Sequence, residues 1–90
     1  MVEITAIHQV GGIEHPHIAS VRWRNPQGGG TGQNSREEMV AWLRASRQNQ
    51  AYVSNGATPV YVGVRDATPP YIQTYADGIW QNNLLALPRY

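Results

Sequence analysis

The sequence contains neither cysteine nor lysine. Without cysteine the chain cannot form a disulfide framework, a zinc ribbon or a thiol nucleophile. Without lysine it cannot carry out Schiff-base chemistry or build a phosphate-binding loop of the Walker type. Its apolar stretches are too short for a secretion signal or a membrane span, so we expect a cytoplasmic protein with no membrane partner.

Charged residues are also scarce, at 14% of the chain. Seven basic residues, all arginine, against six acidic ones give a formal net charge of +1. This balance argues against binding to duplex nucleic acid through neutralisation of its phosphates. A hydrophobic content of 41% excludes a disordered polyelectrolyte. Ninety residues are enough for one small domain, and we predict a single domain over residues 1–90.

Runs of β-favouring residues, most of them alternating between apolar and polar, predict five strands. The strands cover residues 2–10, 17–24, 52–53, 59–65 and 71–75. Asn55-Gly56 predicts a hairpin turn between the third and fourth strands, because asparagine and glycine tolerate a positive φ. Asp77-Gly78 predicts another turn, after which residues 79–90 form an ordered apolar tail that docks on the body of the protein.

The motif Ser35-x-x-Glu38 is a capping box and predicts the start of a helix. Met39 and Trp42 lie on one face of this helix, and residues 48–50 end it. We therefore predict an α+β fold in the order β-β-α-β-β-β. It consists of a small antiparallel-rich sheet of four to five strands, one helix and the ordered C-terminal tail.

A helix of about twelve residues is ~18 Å long and ~10 Å across, whereas four or five strands at ~4.8 Å spacing make a sheet roughly 20 Å wide. The helix alone is too narrow to cover one face of that sheet. The tail, a second copy of the chain or a ligand must complete the cover, because large apolar patches rarely stay bare on a monomer. We therefore expect a homodimer or a higher homo-oligomer.

The string YIxTxADGxWxxNLLxLP, residues 71–88, resembles the ending of a family of short proteins of bacteria and their phages that is defined as a domain of unknown function. The resemblance extends more weakly over most of the chain. It implies a compact domain but transfers no catalytic residues. Members often have Asp-Asn before the Leu-Leu pair, whereas this chain has Asn82-Asn83. The phage association suggests a sequestering role in conflict between bacteria and phages.

Evidence for catalysis is weak in this sequence. His15 and His17 form an H-x-H pair that could direct two imidazoles to a metal, but no third ligand is evident, and solvent-facing histidines are the commoner case. There is no G-x-S-x-G elbow and no paired-carboxylate signature. We therefore predict a protein that is not an enzyme and that needs no metal or cofactor.

The glycine-rich segment 28–32 runs directly into the predicted helix N-terminus at Ser35, where free amides can hold an anion. It matches neither the P-loop nor the dinucleotide-binding pattern. A phosphate site and a slack connector both remain open as interpretations of this segment.

Arginine next to aromatic rings favours ligands that combine a base with a phosphate. The candidate ligand-binding residues are Arg22, Trp23, Arg24, Arg65, Tyr71, Tyr75, Asp77 and Asn83. Arg22 and Arg24 would pair with phosphates, one of the two tyrosines would stack on the base, and the two amide or carboxyl side chains would bind its polar edges. In the alternative interpretation the arginines form a solvated face, the rings pack at the core edge and Asp77 only shapes a turn.

These residues predict a non-enzymatic binding protein that captures a compact, anionic, nucleotide-like ligand. The alternative is a protein-interaction or assembly domain without a small-molecule ligand.

Overall fold

The computed structural model describes residues 1–56 and 58–90. It contains seven strands, one α-helix and two short 3-10 helices. The strands are β1 (Val2–Gln9), β2 (Ile18–Arg24), β3 (Thr31–Ser35), β4 (Ala51–Asn55), β5 (Thr58–Arg65), β6 (Tyr71–Ala76) and β7 (Ile79–Gln81). The helix is α1 (Arg36–Ala45), and the 3-10 helices are η1 (His15–His17) and η2 (Asn83–Ala86).

The prediction of a sheet with four to five strands is wrong. All seven strands belong to one mixed sheet in the order β3-β2-β1-β4-β5-β6-β7. β1 and β4 run parallel, whereas the other neighbouring strands pair antiparallel. The broader α+β class is confirmed, because a single α-helix packs against this sheet.

The two unpredicted strands lie at the two edges of the sheet. β3 has the sequence TGQNS, which shows no apolar alternation. It is a strand because it pairs with β2, and this pairing places Gly32 opposite Trp23. β7 has only three residues. It returns along β6 through a turn at Asp77 and Gly78, whose φ angles are both positive, as a type I′ hairpin turn requires. Residues predicted as an apolar tail therefore form a strand and then η2.

The helix begins at the predicted capping box. The Glu38 amide donates to Ser35 Oγ at 3.1 Å, and the Ser35 amide donates to Glu38 Oε1 at 2.9 Å. The helix ends at Ala45, earlier than the predicted end at residues 48–50, because Ser46 adopts extended backbone angles.

The core lies on the inner face of the sheet, against α1 and η2. Its buried apolar members are Val2, Ile4, Ile7, Ile18, Val21, Met39, Val40, Ala51, Val53, Val62, Ile72 and Leu84. Since α1 contacts β2 and β3 near one edge and β5 and β6 near the other, the sheet curves around the helix. η2 contacts β1, β4 and β6 and inserts the fully buried Leu84. The helix and the C-terminal segment thus cover the inner face together.

Among the described residues, no helix is both long enough and apolar enough to cross a lipid bilayer.

Candidate ligand-binding face

Four aromatic residues form a single row across the outer face of the sheet. Each comes from a different strand, and each pairs directly with the next: Tyr52 with Tyr61, Tyr61 with Tyr75, and Tyr75 with Trp80. Adjacent strands are ~4.8 Å apart, so the row is roughly 14 Å long. We call these four residues the aromatic row.

Strand alternation places the row on the outer face. Val53 and Val62, which neighbour row residues along β4 and β5, are buried in the core, so the row residues point the other way. Tyr61 is 41% exposed and Tyr75 is 45% exposed. The ring of Tyr75 meets the Trp80 ring edge-on, with 4.9 Å between their centres.

A glycine on β5 allows the Trp80 ring to lie across the neighbouring strands. A Cβ atom at Gly63 would come within 3.1 Å of Trp80 Cζ3, so a larger residue would displace the ring. An open groove of about 510 Å³ lies along this surface and is lined in part by Tyr61, Gly63, Tyr75 and Trp80. The exposed rings of Tyr61 and Tyr75 in the aromatic row are therefore accessible to a ligand from the solvent.

Arg65 adds a positive charge at one end of the groove. Its guanidinium carbon lies 4.6 Å from the centre of the Trp80 ring and 5.9 Å from that of Tyr71. Arg65 Nη1 donates to Gln73 Oε1 at 3.0 Å, and Gln73 Nε2 in turn donates to the carbonyl of Gln81 at 3.1 Å. Within the described residues Arg65 forms no ion pair, so its half-buried charge is held in place but not neutralised.

A neutral histidine lies near this cation. His15 in η1, a turn that contacts β6, is 5% exposed. Burial lowers the pKa of His15 below its ordinary value, the charge of Glu14 acts in the opposite direction, and the charge of Arg65 lowers it further. Its Nε2 has no hydrogen-bond partner among the described residues. His15 is therefore uncharged at neutral pH and adds no second positive charge near Arg65.

Three of the predicted site residues lie together on this face, namely Arg65, Tyr71 and Tyr75. Arg22 and Arg24 share the outer face but lie on β2, three strands from β5, which corresponds to roughly 14 Å. Arg24 forms an ion pair with Glu3 at 2.7 Å. Arg22 lies over the Tyr90 ring at 4.1 Å. The structure thus does not bring these two arginines to Tyr71 and Tyr75.

The remaining predicted residues make contacts elsewhere. Trp23 points to the inner face, where its Nε1 donates to Asn34 Oδ1 at 2.7 Å. Asp77 occupies the β6–β7 turn with a φ of 53°. Asn83 Oδ1 accepts a hydrogen bond from Thr74 Oγ1 at 3.1 Å. Their role in ligand binding stays a prediction.

Sequence reasoning did not assign Trp80 to the site, although a signal for it was present. A two-residue Asp77-Gly78 turn pairs the residues that flank it, first Ala76 with Ile79 and then Tyr75 with Trp80. The hairpin signal therefore also places a tryptophan beside a predicted stacking tyrosine.

The other two candidate features do not assemble into sites. Over residues 1–56 and 58–90, no three histidine or acidic side chains come close enough to hold a metal ion. The glycine-rich segment forms the β2–β3 connection, where Asn25 Oδ1 accepts hydrogen bonds from the amides of Gln27 and Gly28. β3 separates this loop from α1, so the glycines do not run directly into the helix N-terminus.

Comparison with known protein families places the chain in a family. The model of a family described as "Protein of unknown function (DUF3892)" matches residues 3–88. No curated protein matches the sequence, and no solved structure matches the fold.

Proposed function

The chain belongs to this DUF3892 family, whose description names no activity, and we propose from the geometry that it is a non-enzymatic binding protein for a compact, anionic, nucleotide-like ligand. The observation that carries the proposal is the position of Arg65 over Trp80, 4.6 Å from its centre, beside the open groove of the aromatic row. A cation and exposed rings are thereby combined on one surface.

Each part of such a ligand has a matching group. A planar base stacks on the exposed ring of Tyr75, an interaction of about 1–3 kcal/mol per base. A phosphate pairs with the N–H groups of Arg65 that Gln73 leaves free, because a guanidinium fork matches phosphate oxygens. Since Gln73 already orders the Arg65 side chain, little conformational entropy is lost on binding.

The lining of the groove supports binding rather than catalysis. Among the described residues that line it, none carries a carboxylate or an imidazole, the groups that most often transfer protons in active sites. A ligand held there would be retained unchanged. This is the chemistry of a sequestering protein, the role in bacteria–phage conflict that the family resemblance suggests.

A second candidate function, a protein-interaction or assembly domain, is favoured by the exposed apolar side chains at the β5–β7 end of the sheet. Tyr61 and Tyr75 pair across adjacent strands, and both side chains are exposed. Contiguous exposed apolar surface of this kind marks interaction sites as well as ligand grooves. Self-association through this surface would give a homodimer or a higher homo-oligomer.

A thermal-shift screen with mononucleotides, combined with light scattering, separates the two functions. A ligand at 100 times its dissociation constant stabilises the folded state by about 2.7 kcal/mol, which raises Tm by roughly 10–20 °C in a domain of this size. We expect this shift in the wild type and in Arg44→Gln, a control at an exposed arginine that pairs with Asp66 and does not line the groove, and its loss in Arg65→Gln.

An equal shift in Arg65→Gln would exclude the assigned site. If no nucleotide shifts Tm and light scattering shows self-association, the nucleotide function is wrong and the interaction function is favoured.

A further inference from the structure

A second cavity lies on the opposite side of the sheet, between α1 and strands β1–β3, and has a volume of about 200 Å³. It is lined by Val2, Trp23, Asn34, Glu38, Met39 and Trp42. We call it the indole cavity. It shares no residue with the groove of the aromatic row, so what it binds is independent of the function proposed above.

Two indole rings form walls of this cavity. The Trp23 ring covers Gly32, where a Cβ atom would come within 2.7 Å of Trp23 Cε2. One face of the ring is therefore occupied by β3, and the other is turned toward α1. The Nε1–Asn34 hydrogen bond of 2.7 Å fixes this orientation. Trp42 contributes the second ring from the helix.

The polar groups of the cavity are negative or neutral. Glu38 Oε1 accepts hydrogen bonds from the Ser35 amide at 2.9 Å and from Asn34 Nδ2 at 3.4 Å. The bonds from Ser35 and Asn34 lower the pKa of Glu38, so its carboxylate is ionised at neutral pH. Among the described residues that line the cavity, none is basic. The capping box also occupies two of the helix N-terminal amides that would otherwise attract an anion.

Aromatic faces attract cations through the quadrupole of the ring, and tryptophan does so most strongly. A volume of about 200 Å³ exceeds the ~150 Å³ of a cavity that admits benzene. From two indoles, a thioether and one carboxylate around such a space, we propose that the indole cavity binds a compact organic cation that carries a methylated ammonium group. The methyl groups contact the apolar walls of the cavity, and the positive charge of the ligand faces the indole rings and Glu38.

A neutral apolar molecule fits this lining less well. It would lie beside the Glu38 carboxylate without neutralising its charge and would gain nothing from the quadrupoles of the indole rings. A bare metal cation lacks the ring of oxygen ligands that it requires. Charge and bulk are both needed, and a methylated ammonium group supplies them together.

Choline and its uncharged isostere 3,3-dimethylbutan-1-ol separate charge from shape. We would titrate each into the protein at constant ionic strength and follow tryptophan fluorescence and the indole N–H signals in NMR spectra. For a ligand of seven non-hydrogen atoms we expect a dissociation constant on the order of 1 mM. Choline should bind roughly ten-fold more tightly than the alcohol. A short peptide with one trimethylated lysine would show whether the group is recognised free or on a protein side chain.

Matched variants assign the site. Glu38→Gln keeps the capping box, in which glutamine also serves, but removes the charge, so choline affinity should fall roughly two- to five-fold. Glu37→Gln removes an exposed carboxylate from the same turn of the helix and should leave the affinity unchanged. Trp80→Leu changes the outer face and should also leave the choline affinity unchanged. Choline binding and nucleotide binding can therefore be tested independently.

Equal affinity for choline and the alcohol, unchanged choline affinity in Glu38→Gln, or no binding of any methylated ammonium probe at 20 mM would each overturn the proposal.

Discussion

Replacement of Gly32 by alanine tests the packing of the Trp23 ring against the edge strand β3. Gly32 on β3 pairs with Trp23 on β2, and the indole ring lies on it. A methyl group at this position would be 2.7 Å from Trp23 Cε2 and 3.0 Å from Cη2, well inside van der Waals contact. The ring can move away only if it gives up its hydrogen bond to Asn34.

The expected loss of stability follows from these contacts. An added methyl group that forces a packed ring to move costs about 1–3 kcal/mol, and a lost hydrogen bond costs about 1 kcal/mol more. Alanine also reduces the conformational entropy of the unfolded chain, which stabilises the folded state by about 0.4–1 kcal/mol. The net effect is a destabilisation of about 2 kcal/mol, equivalent to a decrease in Tm of roughly 8–16 °C for a domain of this size.

Urea denaturation and thermal melting, each followed by tryptophan fluorescence, measure this effect. Gly30→Ala is the matched control, because no atom lies within 4 Å of a Cβ placed there; its stability should be unchanged or slightly higher. If Gly32→Ala is as stable as the wild type and has the same emission spectrum, Trp23 does not rest on β3 and the described packing is incorrect.

Three further predictions test other parts of the account. Leu84→Ala removes a fully buried side chain and should lower the unfolding free energy by about 2–5 kcal/mol in urea titrations; a loss below about 1 kcal/mol would mean that η2 does not complete the core. Ser35→Ala removes the helix cap and should lower stability by about 1 kcal/mol, and an unchanged denaturation midpoint would argue against the capping box. Because burial lowers the pKa of His15 from its ordinary value of 6.5, the unfolded chain takes up a proton below that pH before the folded chain does, so this group makes stability fall as the pH falls. Tm should therefore depend less on pH between 7.5 and 5 in His15→Phe than in the wild type; equal pH dependence would refute a buried neutral His15.

The sequence predicted those parts of the fold that depend on local signals. Ser35 and Glu38 form the capping box because both partners lie within one turn of the helix. The predicted hairpin between β4 and β5 is also present, although Asn55 pairs with Thr58 at the end of β4 and only Gly56 of the Asn-Gly pair has a positive φ. Both features involve residues close together in the chain, where side-chain chemistry alone selects the backbone conformation.

The parts that the sequence did not predict depend on distant residues. β3 has no hydrophobic pattern and becomes a strand because β2 offers it a pairing edge. The parallel pairing of β1 with β4 joins Val2 to Ala51, and no local pattern encodes such a crossover. The aromatic row requires the register of four strands to be known together, since an error of one residue in any strand would turn its ring to the other face.

The same limit applies to the candidate site. Arg65 and Tyr75 could be selected as residue types that bind nucleotides, but their assembly with Trp80 depends on the β5–β6–β7 register. Arg22 and Arg24 were grouped with the tyrosines because both sets resemble ligand-binding residues, yet the strand order separates them. Composition indicates which chemistry is available, whereas topology decides where it is brought together.

An NMR titration with adenosine monophosphate tests the central claim most directly, because the three tryptophans are divided between the two sides of the sheet. Trp80 lies on the outer face next to Arg65, whereas Trp23 and Trp42 line the indole cavity. We expect saturable shifts of the Trp80 indole N–H signal and of the amides in β5 and β6, with the other two indole signals unmoved. The absence of any shift at millimolar nucleotide, or shifts confined to Trp23 and Trp42, would contradict the assignment of the outer face as the ligand-binding surface.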